Sequence, residues 1–240
     1  MILGLSHLFG ESGDLDATAG FWTRHGWRQS LSFHLPVPHE KRSLLHNVSA
    51  ERVALRYLVR TDRPGLPGIE FVRHEPASRA TVNVSRLTLS LPGSVSATDQ
   101  DGNRILSADG STRVDLLTPD PSASREALIS FGFTPAGSDG EVALATPMLS
   151  QRGVVVGFKR APELATIPCI DDGGLNGMSF LIRDLDTIDA RVPLVARQVF
   201  AVADGEQRTV AFFAGAGLLL EFLAVTRNSP EKPPFVSLCS

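Results

Sequence analysis

The sequence is poor in the features that define several large classes of protein. Only two cysteines, Cys169 and Cys239, occur among its 240 residues, too few for a disulfide framework or a thiolate zinc site, which predicts reduced thiols in a cytoplasmic protein. Lys and Arg form no run longer than a pair, and the formal net charge is −3, so a nucleic-acid partner is not expected. The longest apolar stretch, residues 210–225, is interrupted by two glycines and Glu221, and no membrane span is expected.

What the chain does have is an ordinary globular composition. Apolar residues make up 42% and charged residues 20% of the sequence, which supports a buried core and argues against disorder. The opening residues lack the basic and apolar regions of a secretory signal, in keeping with the expected cytoplasmic location. The sequence contains no Gly-x-Ser-x-Gly, no phosphate-binding loop and no dinucleotide fingerprint between a strand and a helix. The enzyme classes that depend on these three motifs are therefore not expected.

A pattern of one strand, one helix and three further strands recurs along the chain. In HLFGESGDLDATAGFWTRHGW, Asp14 is placed to cap the start of a helix and Gly26 to end it. In RVDLLTPDPSASREALISFGF, Asp120 and Gly132 hold the same two positions. Asp accepts hydrogen bonds from the free N–H groups of a helix start, and Gly takes the left-handed conformation at its end. Both segments therefore predict a βαβββ module.

Two further segments follow the pattern less completely. The segment GMSFLIRDLDTIDARVPL places Asp184 in the capping position, and Pro193 limits its helix to a short one. The segments VSRLTLSLPG and ATDQDGNRILSADG contain strand patterns without room for a helix, and Asp101-Gly102-Asn103 predicts the turn before their last strand. In chain order, the helix-less module is the second and the one that opens near Asp184 is the fourth.

These segments resemble the modules of the vicinal oxygen chelate superfamily, which includes glyoxalases, bleomycin-resistance proteins and extradiol dioxygenases. The resemblance rests on the His-bearing strand and Asp-Leu-Asp of HLFGESGDLD, on the closing hairpin DQDGNRILSA, and on LNGMSFLIRDLD with GLLLEFLAV. It implies an α+β fold of repeated βαβββ modules, in which two curved partial-barrel sheets form cups for small molecules. It also implies a module pair in residues 1–110, whose second member lacks its helix, a second pair in residues 111–228, and a tail in residues 229–240.

The resemblance further implies where a metal site would lie. Enzymes of this superfamily hold a divalent metal with His or Gln from the first strand of a module and Glu from its last strand. In this sequence the corresponding positions are His7, Glu70, Arg86, Ser107, Arg113, Gly157, Gly177 and Glu221. Arginine stays protonated and cannot donate an electron pair to a cation.

Two pairings of the modules predict different sites. If the first module pairs with the second and the third with the fourth, Arg86 joins His7 and Glu70, and Arg113 joins Glu221, so that ion pairs replace a metal. On this pairing we expect no metal cofactor, with His7, Glu221 and Arg113 as catalytic residues and Glu70 and Arg86 as substrate-binding residues. If the first module pairs with the fourth, His7, Glu70 and Glu221 converge and could hold one divalent ion such as Fe, Mn, Zn or Ni.

The remaining polar residues carry less information. Glu221 interrupts the apolar sequence LLLEFL, where a carboxylate is costly unless it is paired or functional. The other histidines are interpreted as surface residues: His25, His34, His39, His46 and His74.

Three functions remain open at this point. The first, which we favour, is a metal-independent enzyme of the lyase or isomerase type that binds or transforms a small organic molecule. The second is a divalent-metal lyase, isomerase or dioxygenase that uses His7, Glu70 and Glu221. The third is a non-catalytic, drug-binding resistance protein. The expected partner in each case is a small-molecule ligand, with a homodimer as one assembly considered and with neither nucleic acid nor membrane involved.

Overall fold

The computed structural model describes residues 2–63, 65–77, 85–109, 112–136, 142–145, 154–183, 188, 194–201, 207–213 and 217–224. The strands are β1 (Ile2–Glu11), β2 (Arg28–Pro36), β3 (Arg52–Val59), β4 (Gly68–Glu75), β5 (Thr88–Pro92), β6 (Ala97–Thr98), β7 (Arg104–Ala108), β8 (Thr112–Thr118), β9 (Thr134–Pro135), β10 (Val142–Ala145), β11 (Val154–Arg160), β12 (Gly174–Ile182), β13 (Leu194–Ala201), β14 (Gln207–Phe213) and β15 (Leu219–Ala224). The helices are α1 (Leu15–Arg24) and α2 (Pro121–Ser130), and a 3₁₀ helix spans His39–Leu44.

The described strands form two mixed, open sheets, which confirms the α+β class. The eight-stranded sheet has the order β13-β14-β15-β12-β1-β4-β3-β2, and the seven-stranded sheet has the order β6-β7-β5-β8-β11-β10-β9. Across the part of the chain that the structure describes, no helix has the length and apolar character needed to cross a membrane.

Both helices begin and end where the sequence predicts. The side chain of Asp14 accepts a hydrogen bond from Ala17 N at 3.0 Å, and Asp120 accepts two from the first turn of α2. Gly26 and Gly132 follow the helices with φ of +93° and +98°. Residues with a β-carbon rarely adopt this left-handed conformation, which explains why glycine stands at both positions.

The order of elements agrees with the predicted modules as far as the structure describes them. The first and third modules run β1-α1-β2-β3-β4 and β8-α2-β9-β10-β11. In the second module, residues 93–96 alone separate β5 from β6, so there is no room for a helix, and Gly102 with φ of +84° lies in the turn before β7. The short helix expected after Asp184 lies outside the described residues.

The sheets join the first module to the fourth and the second to the third. Strand β1 runs antiparallel to β12, with Leu8 opposite Met178, and β5 runs antiparallel to β8, with Leu89 opposite Val114. The pairing of first with second module, from which a metal-free cup was expected, is not the one that the sheets form. Strands β1 and β12 are buried along nearly their whole length, and each gains an interior position by pairing with the other. The division of the chain into domains at residues 110 and 228 stays a prediction.

Two apolar clusters stabilise this arrangement. The larger one packs both helices against the sheets, and its most buried aromatic side chains include Trp22, Phe180 and Phe222. The smaller one, which we name the cup cluster, consists of Phe9, Val37, Leu44, Leu45, Ala50, Ile170, Val210, Phe212 and Leu219. It joins β1, β14 and β15 to the end of the 3₁₀ helix and to the residues that follow it. The cup cluster therefore provides an apolar surround for polar groups on these strands.

Candidate metal centre in the eight-stranded sheet

Three of the eight predicted ligand positions meet in the middle of the eight-stranded sheet. Nε2 of His7 on β1 lies 3.7 Å from Oε2 of Glu70 on β4. The same nitrogen lies 3.6 Å from Oε2 of Glu221 on β15. His7 and Glu221 are only 2% and 4% exposed as residues. This is the convergence predicted from the pairing of the first module with the fourth.

Strand register explains why these three residues converge. On one side, β4 runs parallel to β1 with Gly68 beside His7, which places Glu70 two residues further along. On the other side, β15 runs parallel to β12 with Leu219 beside Gly177, which places Glu221 two residues further along. Residues two apart on a strand share one face. The two halves therefore have the same geometry, with Gly177 in the place that corresponds to His7.

The surroundings of His7 orient its ring toward the two carboxylates. Nδ1 lies 3.0 Å from Ser6 Oγ, and the ring of Tyr57 meets the imidazole edge-on at 5.6 Å between centroids. Within the described residues Nε2 has no hydrogen-bond partner, although it is fully buried. Burial lowers the pKa of His7 by more than Glu70 and Glu221 raise it, so the imidazole is neutral near pH 7. A neutral imidazole with an unpaired ring nitrogen is the form that binds a metal.

Glu221 is kept ionised by a positive charge on the neighbouring strand. Nη1 of Arg208 on β14 lies 3.8 Å from Glu221 Oε1. Burial by itself raises the pKa of Glu221, but the charges of Arg208 and Lys41 outweigh it, so this pKa lies below its usual value. The second carboxylate oxygen is the one that faces His7. Glu221 thus meets an arginine on one side and the imidazole on the other.

The fourth position of the site holds no donor atom. A β-carbon on Gly177 would overlap the carbonyl oxygen of Leu219 and the ring of Phe9. The Phe9 ring occupies the space that a side chain at this position would need. Among the described residues, the donors that this site offers are those of His7, Glu70 and Glu221.

The donor set and its spacing fit a divalent cation. Imidazole nitrogen and carboxylate oxygen bind zinc at roughly 2.0–2.2 Å, so two such donors on a tetrahedral ion are about 3.3–3.6 Å apart. The distances from His7 Nε2 to the two carboxylates, 3.7 and 3.6 Å, are close to this range. One imidazole and two carboxylates suit Mn, Fe, Zn or Ni, and three protein donors leave coordination positions for a substrate.

The predicted ion pair between Arg113 and Glu221 is wrong. Arg113 lies on β8 of the other sheet, where its Nε donates a 2.6 Å hydrogen bond to Asp115 Oδ1. Its guanidinium also covers Gly157, since a β-carbon there would overlap both Arg113 and Asp115. The arginine beside Glu221 is Arg208, which the sequence analysis did not single out. Arg208 and Glu221 lie on the consecutive antiparallel strands β14 and β15, where Val210 stands opposite Glu221 and Arg208 is two residues away on the same face. The count of positions within each module did not include this cross-strand register.

The other predicted positions lie away from His7. Arg86 directs its Nη1 to the carbonyl oxygens of Gly173 and Ser85, at 3.0 and 3.2 Å. Ser107 is exposed on β7, and its backbone N–H donates to Ser96 Oγ. A role of Arg86 in substrate binding, like a catalytic role of Arg113, stays a prediction.

One histidine interpreted as a surface residue is buried, and another, which is exposed as expected, is paired with a buried carboxylate. His74 is 3% exposed, and its Nδ1 lies 2.8 Å from Oε2 of Glu11. The other oxygen of Glu11, Oε1, accepts the His74 backbone N–H. His46 Nε2 lies 2.8 Å from Oδ1 of Asp172, which is fully buried. A signal was present for His74, which stands four residues after Glu70 on the same strand. For His46, which lies in a loop, the sequence contains no comparable signal.

Comparison with known proteins identifies the fold. No protein-family model matches the sequence, and no match to a curated protein was found. Among solved structures, a "putative dioxygenase" from Bacillus subtilis has a TM-score of 0.60 at 13% identity, covering 100% of this chain and 91% of that protein. Glyoxalase I from Zea mays has a TM-score of 0.57 at 11% identity, covering 92% of each chain. A mutant of the same glyoxalase I reaches a TM-score of 0.60 at 12% identity, with 92% of this chain and 93% of that one covered. The likeness over nearly the full length, together with the two sheets described above, shows that this chain has the vicinal oxygen chelate fold.

Proposed function

We propose that this protein is a divalent-metal-dependent enzyme of the lyase or isomerase type, with His7, Glu70 and Glu221 as the metal ligands. The observation that carries the proposal is the buried Nε2 of His7, which faces two carboxylate oxygens and has no hydrogen-bond partner among the described residues. Leaving a buried nitrogen unpaired costs about 1–3 kcal/mol, which a metal bond would offset. This proposal replaces the metal-free cup that the sequence favoured. That expectation required the first module to pair with the second and the third with the fourth, so that Arg86 and Arg113 would lie beside Glu70 and Glu221, and the sheets do not pair in this way.

The ligand set favours proton-transfer chemistry over oxygenation. Iron oxygenases without haem typically use two histidines and one carboxylate, whereas this centre has one histidine and two carboxylates. A bound divalent ion would act as a Lewis acid that polarises a substrate oxygen and stabilises the negative charge that develops on it. A small compound with a carbonyl group next to an ionisable C–H bond is the substrate that suits this chemistry.

The protein's own residues have distinct tasks in such a reaction. Glu221 is held ionised by Arg208, which suits a permanent ligand. Glu70 has 16% of its side chain exposed, compared with 6% for Glu221. Of the two carboxylate ligands it is therefore the one whose second oxygen can reach a substrate and accept its proton. Burial raises the pKa of Tyr57, so its phenol stays neutral beside the His7 ring. The cup cluster, through Phe9 and its neighbours, excludes water from this side of the sheet.

Metal binding by the purified protein tests the proposal. The protein is treated with a chelator and titrated with Mn, Fe, Zn or Ni, and bound metal is measured by elemental analysis. The Cys169→Ser variant is used so that this thiol cannot bind the added metal. We expect one ion per chain, lost in His7→Ala and in Glu221→Gln. Arg113→Met is the matched control, because this arginine lies in the other sheet, and it should bind the metal normally.

Activity provides the second measurement. The metal-loaded protein is incubated with a small α-hydroxy ketone in deuterated water, and deuterium incorporation next to the carbonyl is followed by NMR. We expect exchange that requires the metal and that, at equal bound metal, falls by about 100-fold or more in Glu70→Gln, the range for loss of a general base. Failure to bind any metal in the cup would overturn the proposal and favour a metal-free binding protein. Metal binding without exchange would overturn only the assigned reaction type.

A further inference from the structure

A second cluster of metal-binding side chains lies outside the cup. It consists of His46, from the loop after the 3₁₀ helix, and of Cys169 and Asp172, from the loop before β12. One ligand atom from each residue lies within 4.8 Å of the other two. Around a tetrahedral zinc ion, with bonds of roughly 2.0–2.3 Å, donor atoms are about 3.3–3.8 Å apart. A small adjustment of side chains would therefore bring all three onto one ion.

The backbone around the cluster is already organised. Both oxygens of Asp171 accept backbone hydrogen bonds, from His46 N at 2.8 Å and from Asn47 N at 2.9 Å. Ile170 N donates to Leu44 O at 3.0 Å. These bonds fix the two loops against each other before any metal is bound. The cost of ordering the three ligands is thereby reduced.

The side chain of Asp172 is directed toward the other two residues of the cluster. It is fully buried, and Oδ2 accepts a hydrogen bond from Cys169 N at 2.6 Å. The other oxygen, Oδ1, has His46 Nε2 2.8 Å away but no well-aligned hydrogen bond from the described residues. A buried carboxylate oxygen without an aligned donor is compensated only in part. It points toward His46 and Cys169, where a cation would compensate it.

We propose that His46, Cys169 and Asp172 form a second, zinc-binding site that fastens the two loops together beside the cup. Sulfur, imidazole and carboxylate donors are the set that tetrahedral zinc prefers, with a water molecule in the fourth position. His46 has 34% of its side chain exposed, which gives the ion a route of entry. None of the three residues belongs to the cup, so this site does not depend on the function proposed above.

The location gives the site a structural task. Leu44, Leu45 and Ile170, which flank the two loops, belong to the cup cluster. An ion that holds the loops together would therefore keep these apolar side chains packed over the polar residues of the cup. The ion would link segments that are far apart in the chain, so its binding would stabilise the folded state.

Cobalt(II) used in place of zinc separates this site from the cup. A thiolate bound to cobalt absorbs strongly in the near ultraviolet through sulfur-to-metal charge transfer, and the three donors of the cup contain no sulfur. We expect one thiolate-bound cobalt per chain after titration of chelator-treated protein. The band should persist in His7→Ala, which damages only the cup, and should be lost in Cys169→Ser.

Matched variants make the result specific. Cys239→Ser should keep the band, since Cys169 is the cysteine of the proposed site. His46→Ala should weaken zinc binding by roughly 100-fold or more, because losing a ligand costs at least as much as losing an outer-shell partner, which costs up to about 100-fold. His34 is exposed and lies outside the cluster, so His34→Ala should leave zinc binding unchanged. Absence of the band in the wild-type protein, or its survival in Cys169→Ser, would overturn the proposal.

A measurement on the wild-type protein guards against variants that do not fold. Zinc should protect Cys169, but not Cys239, from alkylation by iodoacetamide, with the modified residue located by mass spectrometry. Equal labelling of Cys169 with and without zinc would contradict the site.

Discussion

His7 Nε2 lies 3.6 Å from Glu221 Oε2, although β1 is the first described strand and β15 the last. The two residues are brought together by the antiparallel pairing of β1 with β12 and the parallel pairing of β12 with β15. Burial keeps His7 neutral, and the charge of Arg208 keeps Glu221 ionised. These are the protonation states in which both residues can bind a cation.

The pair of Glu221 and Arg208 is open to a direct energetic test. In metal-free protein we expect Glu221→Gln to lower the free energy of unfolding by about 3 kcal/mol, since Arg208 is then buried without its counter-charge. Arg208→Met in the same chain should recover part of that loss. Urea denaturation of the four proteins in a double-mutant cycle measures the coupling. The cycle of Glu221→Gln with Arg113→Met is the control and should be additive, and a coupling as large as that of Arg208 would contradict the structure.

The low pKa of His7 predicts a pH dependence of stability. The pKa of His7 in the folded protein lies below the 6.5 of an unperturbed histidine, so the unfolded chain binds more protons as the pH falls through 6.5. We therefore expect metal-free protein to lose stability below pH 6.5, and His7→Gln to lose less over the same range. Denaturation at pH 7.5 and pH 5.5 gives the difference. Identical pH dependence of the two proteins would mean that His7 titrates normally.

The fully packed position of Gly177 predicts intolerance of even a small side chain. Gly177→Ala should lower the free energy of unfolding by about 1–3 kcal/mol, because its β-carbon would overlap Phe9 and the Leu219 carbonyl. Thermal denaturation measures the effect. Gly173→Ala is the matched control, since a β-carbon there meets nothing within 4 Å, and should change stability little. Equal effects of the two substitutions would show that Phe9 yields easily.

The hydrogen bonds of Asp171 should hold the two loops together in the absence of metal. Asp171→Ala removes the acceptor of the His46 and Asn47 N–H groups, and we expect a loss of about 1–3 kcal/mol. The exposed Asp109→Ala provides the comparison. Faster amide hydrogen exchange at residues 45–50 in Asp171→Ala would locate the change, and unchanged exchange there would contradict the assigned role.

Local features of the fold could be predicted from the sequence because they depend on residues close together in the chain. The helix starts at Asp14 and Asp120 and the glycines after each helix follow from backbone chemistry within one or two turns. The residue count that placed Glu70 and Glu221 in corresponding positions also depends only on the spacing within a module, and the parallel registers of β4 with β1 and of β15 with β12 show the corresponding geometry.

The tertiary structure alone decided which modules share a sheet, and with it which residues meet. The apolar patterns of β1 and β12 require a buried neighbour but do not specify which strand supplies it, because any apolar strand satisfies the same pattern. Once β1 pairs with β12, Glu221 faces His7, and Arg113 is left in the other sheet with Asp115. His46 and Asp172 meet for a similar reason, since their loops are far apart in the chain and are joined by tertiary hydrogen bonds.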